Sequence, residues 1–273
     1  MTTPLLSVCL ITYNHVKYIK QAVEGVLIQE VDFVIELIIA DDFSTDGTRD
    51  ILLEYKNKYP KLITLILQEK NVGPARNWID LITSPKSKYI AYFEGDDYWT
   101  DPLKLKKQVT FLENNENFTL VFHNAFVKHE NVEGKDHSFC GSMQDTTTIK
   151  DVIKSWYIPS VSMVFRKDGI LPLPLWFETI YNGDYALHLM LATKGEIKYL
   201  NETMGVYRKN SGALSGSYST IKNIKNLIKL FKIFNKETHQ KYFISIIPRL
   251  TDLYFQLVYM TIKTQFFQIK QKG

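Results

Sequence analysis

The chain is poor in cysteine, and this scarcity excludes several kinds of protein. Its 273 residues include only Cys9 and Cys140, which are too far apart to suggest a disulfide framework or a metal-binding spacing. Cys9 lies within an apolar run, so we predict that it is a small core residue. The shortage of cysteine fits a reducing compartment, and we therefore expect a cytoplasmic protein.

Long apolar runs and targeting signals are also missing. Residues 1–4 lack the basic segment that opens a secretory signal, and the apolar run over 5–11 is interrupted by Ser7 and Cys9. No window approaches the roughly 20 apolar residues of a membrane-spanning helix. A content of 45% hydrophobic and 23% charged residues is typical of a folded soluble protein, and the length allows one large domain with an appendage.

Strand and helix patterns alternate along the first half of the chain. Strands are predicted over 5–12, 34–40, 62–67, 89–93 and 118–127, with helices over about 15–29, 44–58, 72–81 and 102–114. Later segments predict a polar loop over 128–145, a strand over 157–166, a helix over 184–194, and short strands over 197–200 and 204–208. Strands separated by helices of this length predict an α/β fold with a mainly parallel central sheet flanked by helices.

Polar residues follow three of the predicted strands. They are Thr12-Tyr13-Asn14, Asp41-Asp42 and Glu94-Gly95-Asp96-Asp97. Ligands of parallel sheets bind beyond the carboxyl ends of the strands, so we expect these groups to converge. Ordinary polar loops would explain one such end more easily than three.

The acidic segment Glu94–Asp97 carries the clearest chemical signal. Clustered carboxylates repel one another, and burying them is costly unless a cation offsets their charge. Oxygen ligands at a strand end suit Mg²⁺ or Mn²⁺, and such ions usually also hold phosphate oxygens. A solvated acidic turn is the alternative interpretation of these residues alone.

Six segments of the chain follow one another in a fixed order: Ser7–Asn14 (SVCLITYN), Ile39–Thr48 (IADDFSTDGT), Asn71–Asn77 (NVGPARN), Glu94–Asp97 (EGDD) with Pro102 downstream, Gly183–Asp184, and Tyr207–Arg208. In this order and at this spacing they resemble the family 2 glycosyltransferases of the glycosyltransferase-A fold. The resemblance covers roughly residues 5–215. It implies a nucleotide-sugar donor, an acceptor hydroxyl on a glycan or lipid-linked molecule, and transfer with inversion in surface polysaccharide or glycolipid synthesis.

The resemblance also implies where the donor nucleotide would bind. Thr12 and Tyr13 would frame the nucleobase, with the Tyr13 ring free to stack. Asp42 would accept the imide N–H of a uracil, which makes a UDP-sugar the expected donor, and Asp41 would support that turn. Arg76 would lie near the base or the diphosphate.

The metal site and the catalytic base are implied in the same way. Asp97 would be the direct ligand of Mn²⁺ or Mg²⁺, with Asp96 near the ribose or the metal. Asp184 matches the family's general base, which takes the proton of the acceptor hydroxyl; capping the helix that it opens is the alternative role. Arg208 belongs to a segment that resembles a donor-closing loop, and Asn210 stands where many relatives carry a histidine.

The C-terminal part of the chain is strongly basic. Residues 221–273 hold ten Lys or Arg and two acids, net +8, so residues 1–220 carry net −4 of the chain's +4. We therefore divide the chain into a catalytic domain, 1–220, and a helical extension, 221–273, with a break at Pro248. Lysines and apolar residues alternate over 221–236 as in a basic amphipathic helix. It would either contact the inner face of the plasma membrane peripherally or pack on the body or a partner chain, leaving an oligomer open.

Other classes are less compatible with the sequence. The absence of G-x-G-x-x-G after a strand disfavours a dinucleotide oxidoreductase, and no motif for binding nucleic acid is present. A nucleotidyltransferase would usually show a glycine-rich basic loop after the first strand, where this chain has Tyr13-Asn14-His15. A degenerate module that only binds a nucleotide-sugar also remains an alternative.

Overall fold

The computed structural model describes residues 3–130, 132–180, 183–210 and 220–270. Its strands are β1 (Leu6–Thr12), β2 (Ile35–Asp41), β3 (Ile63–Leu67), β4 (Tyr89–Glu94), β5 (Tyr98–Trp99), β6 (Phe118–His129), β7 (His137–Ser138), β8 (Thr146–Thr147), β9 (Val164–Arg166) and β10 (Glu196–Lys209). Its helices are α1 (Ile19–Leu27), α2 (Thr48–Lys58), α3 (Pro74–Thr83), α4 (Lys104–Asn114), α5 (Ile149–Lys154), α6 (Gly183–Ala192), α7 (Thr220–Glu237) and α8 (Phe243–Lys270).

The strands form one sheet in the order β3–β2–β1–β4–β9–β6–β10–β5, with β7 added to β6 and β8 added to β10. The first four strands are parallel, as are β6 and β10. The short strand β9 runs antiparallel between β4 and β6, and β5 runs antiparallel to β10. The predicted α/β fold with a mainly parallel sheet is confirmed.

Alternate residues of each strand enter two apolar cores, one on each face of the sheet. On β1, Val8 and Leu10 belong to the core that α1, α2 and α4 cover, whereas Cys9 belongs to the core beneath α3, α5 and α6. Cys9 is fully buried, which confirms the sequence prediction. Because both faces are covered, the strands read as continuous apolar runs and their ends are left as the places where polar groups gather.

Several element boundaries differ from the sequence prediction. The strand predicted to end at residue 127 continues to His129. The segment predicted as a strand over 157–166 begins with a 3₁₀ turn, Ser160–Ser162, before β9. The two strands predicted over 197–200 and 204–208 are one strand, because β10 stays paired with β6 across register shifts around Thr203.

The C-terminal extension is helical, as predicted, and it packs on the body of the protein. Ile224, Ile228 and Phe231 of α7 join the core that contains Tyr185, whose ring lies 5.7 Å from the Phe231 ring. The domain boundary near residue 220 stays a prediction. No helix in the described part of the chain is long and apolar enough to cross a membrane.

The predicted break at Pro248 is wrong. The chain turns between the two helices at His239 and Gln240, which adopt left-handed backbone conformations with φ of 49° and 62°. Pro248 lies inside α8, five residues after its first residue. A proline at this position, in the second turn, removes the hydrogen bond that an N–H there would donate to the Ile244 carbonyl, yet the helix continues past it.

Candidate functional site

The carboxyl ends of β1, β2 and β4 lie side by side. Thr12 pairs with Asp41 across β1 and β2, and Ile11 pairs with Glu94 across β1 and β4. The predicted convergence of these polar strand ends is confirmed. Since neighbouring strands lie about 4.8 Å apart, the ends of β2 and β4 are separated by roughly 10 Å.

Asp41 is fully buried and satisfied by the turn that follows it. Its Oδ2 accepts hydrogen bonds from the Ser44 backbone N–H, at 3.0 Å, and from the Arg49 side chain, at 2.5 Å. Its Oδ1 accepts the Ser44 hydroxyl. These contacts fix the loop between β2 and α2, which is the supporting role that the resemblance implies for Asp41.

Asp42 connects the end of β2 to the start of α3. Its two carboxylate oxygens accept the backbone N–H groups of Val72, at 2.7 Å, and Gly73, at 3.0 Å. Each oxygen keeps one lone pair for a further donor. Arg76, in the first turn of α3, pairs with Asp80 at 2.7 Å, and its side chain is 54% exposed. Arg76 is therefore held only by a surface ion pair.

The end of β1 contributes an exposed ring and an unpartnered hydroxyl. Tyr13 exposes nearly half of its surface, whereas Thr12 is buried and its Oγ1 has no hydrogen-bond partner among the described residues. A Cβ on Gly95 would come within 2.9 Å of Thr12 Oγ1 and 3.0 Å of His15 Nδ1. Glycine at this position therefore lets the acidic turn after β4 approach β1 closely.

Asp96 and Asp97 each keep one oxygen unpartnered. Asp97 Oδ1 accepts the backbone N–H of Arg208 at 2.7 Å, and Asp96 Oδ2 accepts the Asn210 amide at 2.9 Å. Asp96 Oδ1 and Asp97 Oδ2 are buried and lack a hydrogen-bond partner in the described ranges. Buried carboxylate oxygens without a partner are costly, so this pair of atoms is suited to a bound cation.

Arg208 braces the acidic turn from inside the protein. Its guanidinium donates to the Asp96 carbonyl, at 2.5 Å, and to Gln21, and its Nε lies 3.3 Å from Glu130 Oε1. It also lies 4.4 Å from the centre of the Tyr98 ring. The buried Arg208 belongs to β10, whereas Ser211 and Gly212, at the end of the segment 207–212 that resembles a donor-closing loop, lie outside the described residues.

Asp184 lies in the first turn of α6 and is held by a tryptophan. The Trp156 indole Nε1 donates to Asp184 Oδ2 at 2.9 Å. Burial raises the pKa of Asp184 above its usual value, and the hydrogen bonds from the Tyr185 backbone and from Trp156 oppose that rise. A carboxylate with a raised pKa that is held in place by hydrogen bonds is a suitable proton acceptor.

Two tyrosines show that the acids form one cluster. Burial raises the pKa of Tyr92 and of Tyr207, and repulsion from the same four carboxylates raises both further: Glu94, Asp96, Asp97 and Asp184. The four acids, Asp97 and Asp184 among them, therefore lie within electrostatic range of both hydroxyls. Asp42 lies at the end of β2, two strands from the acidic turn.

Electrostatic coupling runs through the cluster by way of Glu94. Burial, with Asp96 and Asp184 next in order, raises the pKa of Glu94 to about 8. Burial raises the pKa of Asp97 as well, followed by the effects of Asp96 and Glu94. The cluster therefore holds more negative charge than its surroundings stabilise, which favours either protonation or a bound cation.

A second link joins the cluster to the Asp41 loop through His15. Burial lowers the pKa of His15, and the negative charges of Asp96, Asp46 and Asp41 oppose this in that order. His15 also donates its backbone N–H to Thr48 at 2.9 Å. Asp96 of the acidic turn and Asp41 of the loop after β2 therefore both lie within electrostatic range of His15 along the same edge of the sheet.

The described residues fit a divalent cation only in part. No group of three acids, histidines or cysteines within them is arranged to hold a metal ion. The unpartnered oxygens of Asp96 and Asp97 could supply two ligands, and Mg²⁺ usually takes its others from phosphate and water. The site therefore fits a cation that arrives with a phosphate-bearing ligand.

Some residues of the site carry no signal in the sequence. Trp156 lies just before the strand predicted over 157–166, in a segment for which the sequence makes no prediction, yet it holds Asp184. Gln21 and Glu130 contact Arg208 from α1 and from the end of β6, far from any motif. Only the fold brings such residues to the site. The one weak signal in the sequence is a lone tryptophan before a predicted strand, which could have been considered as a site residue.

Comparison with known proteins identifies the family and the fold. Residues 7–170 match the model of the family described as Glycosyl transferase family 2. An uncharacterised protein of Mycobacterium tuberculosis is 36% identical over 76% of this chain and 59% of its own length. The Escherichia coli enzyme WfaP, named as a UDP-Glc:α-D-GlcNAc-diphosphoundecaprenol β-1,3-glucosyltransferase, is 30% identical over 78% of this chain and 80% of its own.

Solved structures show the same fold at low identity. Staphylococcus aureus TarS in complex with UDP-GlcNAc aligns with a TM-score of 0.65 and 19% identity over 92% of this chain and 72% of that one. The mannosyltransferase PcManGT of Pyrobaculum calidifontis, in complex with GDP-Man and Mn²⁺, aligns with a TM-score of 0.60 and 16% identity over 85% and 64%. The predicted glycosyltransferase-A fold is confirmed. The match spans 59% of the mycobacterial relative's length.

Asp41 should matter for stability more than a surface acid that also pairs with an arginine. Asp41→Ala strands Arg49 and Ser44, and we expect it to lower the free energy of unfolding by about 3–5 kcal/mol, measured by urea denaturation. Asp80→Ala, which removes the partner of the exposed Arg76 and an acceptor of the Gln68 amide, should cost less, about 1–2 kcal/mol. Equal losses in the two variants would contradict the structural role of Asp41.

Proposed function

We propose, since the chain belongs to glycosyl transferase family 2, that it transfers a sugar from a UDP-sugar to an acceptor hydroxyl with inversion at the anomeric carbon. The acceptor is a glycan or a lipid-linked sugar of a surface polysaccharide or glycolipid. One observation carries the proposal: two unpartnered carboxylate oxygens, on Asp96 and Asp97, lie in the same acidic cluster as Asp184. In this arrangement Asp96 and Asp97 would hold a cation beside the leaving diphosphate, and Asp184 would accept the proton of the incoming hydroxyl.

The nucleotide of the donor would bind along the ends of β1 and β2. The exposed Tyr13 ring offers a stacking surface, and Asp42 is held so that its free lone pairs can accept a uracil imide N–H. Arg76 can leave Asp80 for a phosphate at little cost, because an exposed ion pair is worth about 0–1 kcal/mol. WfaP is named for a UDP-sugar and TarS binds UDP-GlcNAc, which supports uridine over the guanosine of the PcManGT complex.

Asp97, with Asp96, would hold Mn²⁺ or Mg²⁺. Such a cation neutralises negative charge on a departing diphosphate. The protein's own part is to keep the two carboxylates in place: Arg208 donates its backbone N–H to Asp97 and its guanidinium to the Asp96 carbonyl, while Asn210 donates to Asp96. One carboxylate oxygen of Asp96 and one of Asp97 thereby stay available to bind the cation.

Asp184 would act as the general base. The acceptor hydroxyl loses its proton to Asp184 as its oxygen bonds to the anomeric carbon, and the bond from that carbon to the diphosphate breaks on the opposite face. A single displacement of this kind inverts the configuration. Trp156 orients the carboxylate by donating to Oδ2, and the Tyr185 backbone N–H is a second donor to the same carboxylate.

The acceptor would approach from the side of residues 128–182. Phe139 contacts both Trp156 and Tyr207, with ring centres 5.4 and 5.6 Å apart. Phe139 also lines a cavity of about 340 Å³ together with Met143, Thr147 and Tyr157 among others. Aromatic surfaces beside a polar pocket are suited to the apolar faces of a sugar.

Asp97→Asn should remove the cation dependence of donor binding. The asparagine keeps an oxygen for the Arg208 N–H but loses the charge that a cation needs. We expect UDP to bind wild type more tightly with Mn²⁺ than with EDTA, and the variant equally in both, by isothermal titration calorimetry. Asp50→Asn, on the exposed side of α2, is the matched control. Unchanged Mn²⁺ dependence in Asp97→Asn would exclude Asp97 as a ligand.

Asp184→Asn should separate donor binding from transfer. Loss of a general base lowers the rate by about 10²–10⁴-fold, while the affinity for UDP with Mn²⁺ should stay that of wild type. The rate is measured as UDP release from UDP-glucose or UDP-GlcNAc, with GlcNAc-diphosphoundecaprenol as the acceptor. Full turnover in the variant would rule out the base assignment, and wild-type protein that binds UDP but never transfers sugar would indicate a binding module.

Trp156→Phe should move the acidic limb of the pH–rate profile to higher pH. The Trp156 hydrogen bond stabilises ionised Asp184, so its loss raises the pKa of this base and a higher pH is then needed to deprotonate it. Trp176→Phe is the control, because the Trp176 Nε1 has no partner in the described part of the chain. A lower rate with an unshifted limb would show that Trp156 does not tune Asp184.

A further inference from the structure

The outer side of α8 exposes apolar side chains where a solvated helix carries charges. Ile244 is 84% exposed and Phe255 is 73% exposed. We call the following set the apolar stripe: Ile244, Ile247, Phe255, Val258, Tyr259 and Ile262. Most of its members recur at intervals of three, four or seven residues, which places them along one side of the helix. Over 243–264 the only charged residues are Arg249, Asp252 and Lys263.

None of the other described residues covers the apolar stripe. The inner side of α8 already fills the core with the buried Ile246 and Leu253 and the partly buried Leu250, Leu257 and Met260. A helix that is apolar on both its inner and its outer side is normally covered on both. An exposed apolar surface of this length marks a place where something else binds.

Exposed lysines of α7 border the apolar stripe. They are Lys225, Lys229, Lys232 and Lys236, spaced by four, three and four residues along one side of the helix. Lys232 Nζ lies 5.6 Å from the ring of Tyr254, which is on α8 beside Phe255. Lys229 Nζ donates to the Thr179 carbonyl at 2.7 Å, in the 3₁₀ segment where Leu175 is 97% exposed.

We infer that the apolar stripe, the α7 lysines and Leu175 form a surface that docks on an anionic lipid bilayer. Apolar side chains would enter the boundary between headgroups and acyl chains, and the lysines would contact anionic headgroups. A second copy of the chain is a poorer occupant, because two regions of net +8 would face each other and repel. The lipid surface alone matches both the apolar and the basic character.

This surface differs from the one that the sequence suggests. The apolar side of α7 is buried against the body through Ile224, Ile228 and Phe231, so it is not free to enter a membrane. The lysines of α7 remain exposed, and α8 supplies the apolar contact instead. The segment of Leu175 leads to α6, where Phe177 lies beside Gly183, so a docked bilayer would lie on the acceptor side of Asp184.

Vesicle sedimentation tests the inference. Wild type should pellet with vesicles of phosphatidylcholine and phosphatidylglycerol but not of phosphatidylcholine alone, and binding should fall in about 0.5 M NaCl. Phe255→Ser with Tyr259→Ser, and separately Lys229→Gln with Lys232→Gln, should weaken binding about tenfold or more. Controls of the same type on or near α2, namely Leu53→Ser and Lys58→Gln with Lys61→Gln, should bind like wild type.

Other outcomes would overturn the inference. The inference fails if wild type does not pellet with anionic vesicles. It also fails if Phe255→Ser with Tyr259→Ser binds these vesicles as tightly as wild type while its urea midpoint is that of wild type. A stable dimer in light scattering that Phe255→Ser with Tyr259→Ser abolishes would assign the stripe to a second copy instead. Asp184→Asn should still bind vesicles, so failure of docking and failure of the proposed transfer reaction are observed separately.

Discussion

Mutual repulsion among buried carboxylates is the constraint on which the site depends. Glu94, Asp96, Asp97 and Asp184 are held within electrostatic reach of the same two tyrosine hydroxyls, and each raises the pKa of both. A protein does not gather such groups for stability, because each would be better solvated elsewhere. The negative charge of these groups is partly offset by Arg208, the buried cation beside the acidic turn.

The two groups of acids along the sheet edge are built on different principles. Every carboxylate oxygen of Asp41 and Asp42 already accepts a hydrogen bond from the chain itself, so their loop is fixed before any ligand arrives. Asp96 and Asp97 are left incomplete, with one buried oxygen each awaiting a partner. The loop of Asp41 and Asp42 is preorganised, whereas Asp96 and Asp97 each keep an oxygen that lacks a partner. A site that binds a nucleotide needs both a rigid part that holds the ligand and groups that can interact with its phosphates.

Much of this organisation could be predicted from the sequence because the relevant signals are local. Apolar runs ending in Thr12, Asp41 and Glu94 predicted parallel strands with converging ends, and register confirms that convergence. The role of Arg208 could not be predicted, because its contacts to Gln21 and Glu130 arise from long-range pairing of β10. Pro248 suggested a break because proline disfavours a helix interior, but α8 continues through it, and the turn at His239 has no strong signal in the sequence.

The double hydrogen bond that fixes the Asp42 carboxylate has a consequence for the choice of nucleobase. With Val72 and Gly73 holding both oxygens, the group cannot rotate or retreat to suit a different partner. In the binding mode proposed for Asp42, a pyrimidine with an N–H donor at its third ring position would meet a complementary acceptor, whereas cytosine presents a lone pair there and would be repelled. Selectivity for the nucleobase at Asp42 would then come from repulsion of cytosine as much as from the hydrogen bond to the preferred base.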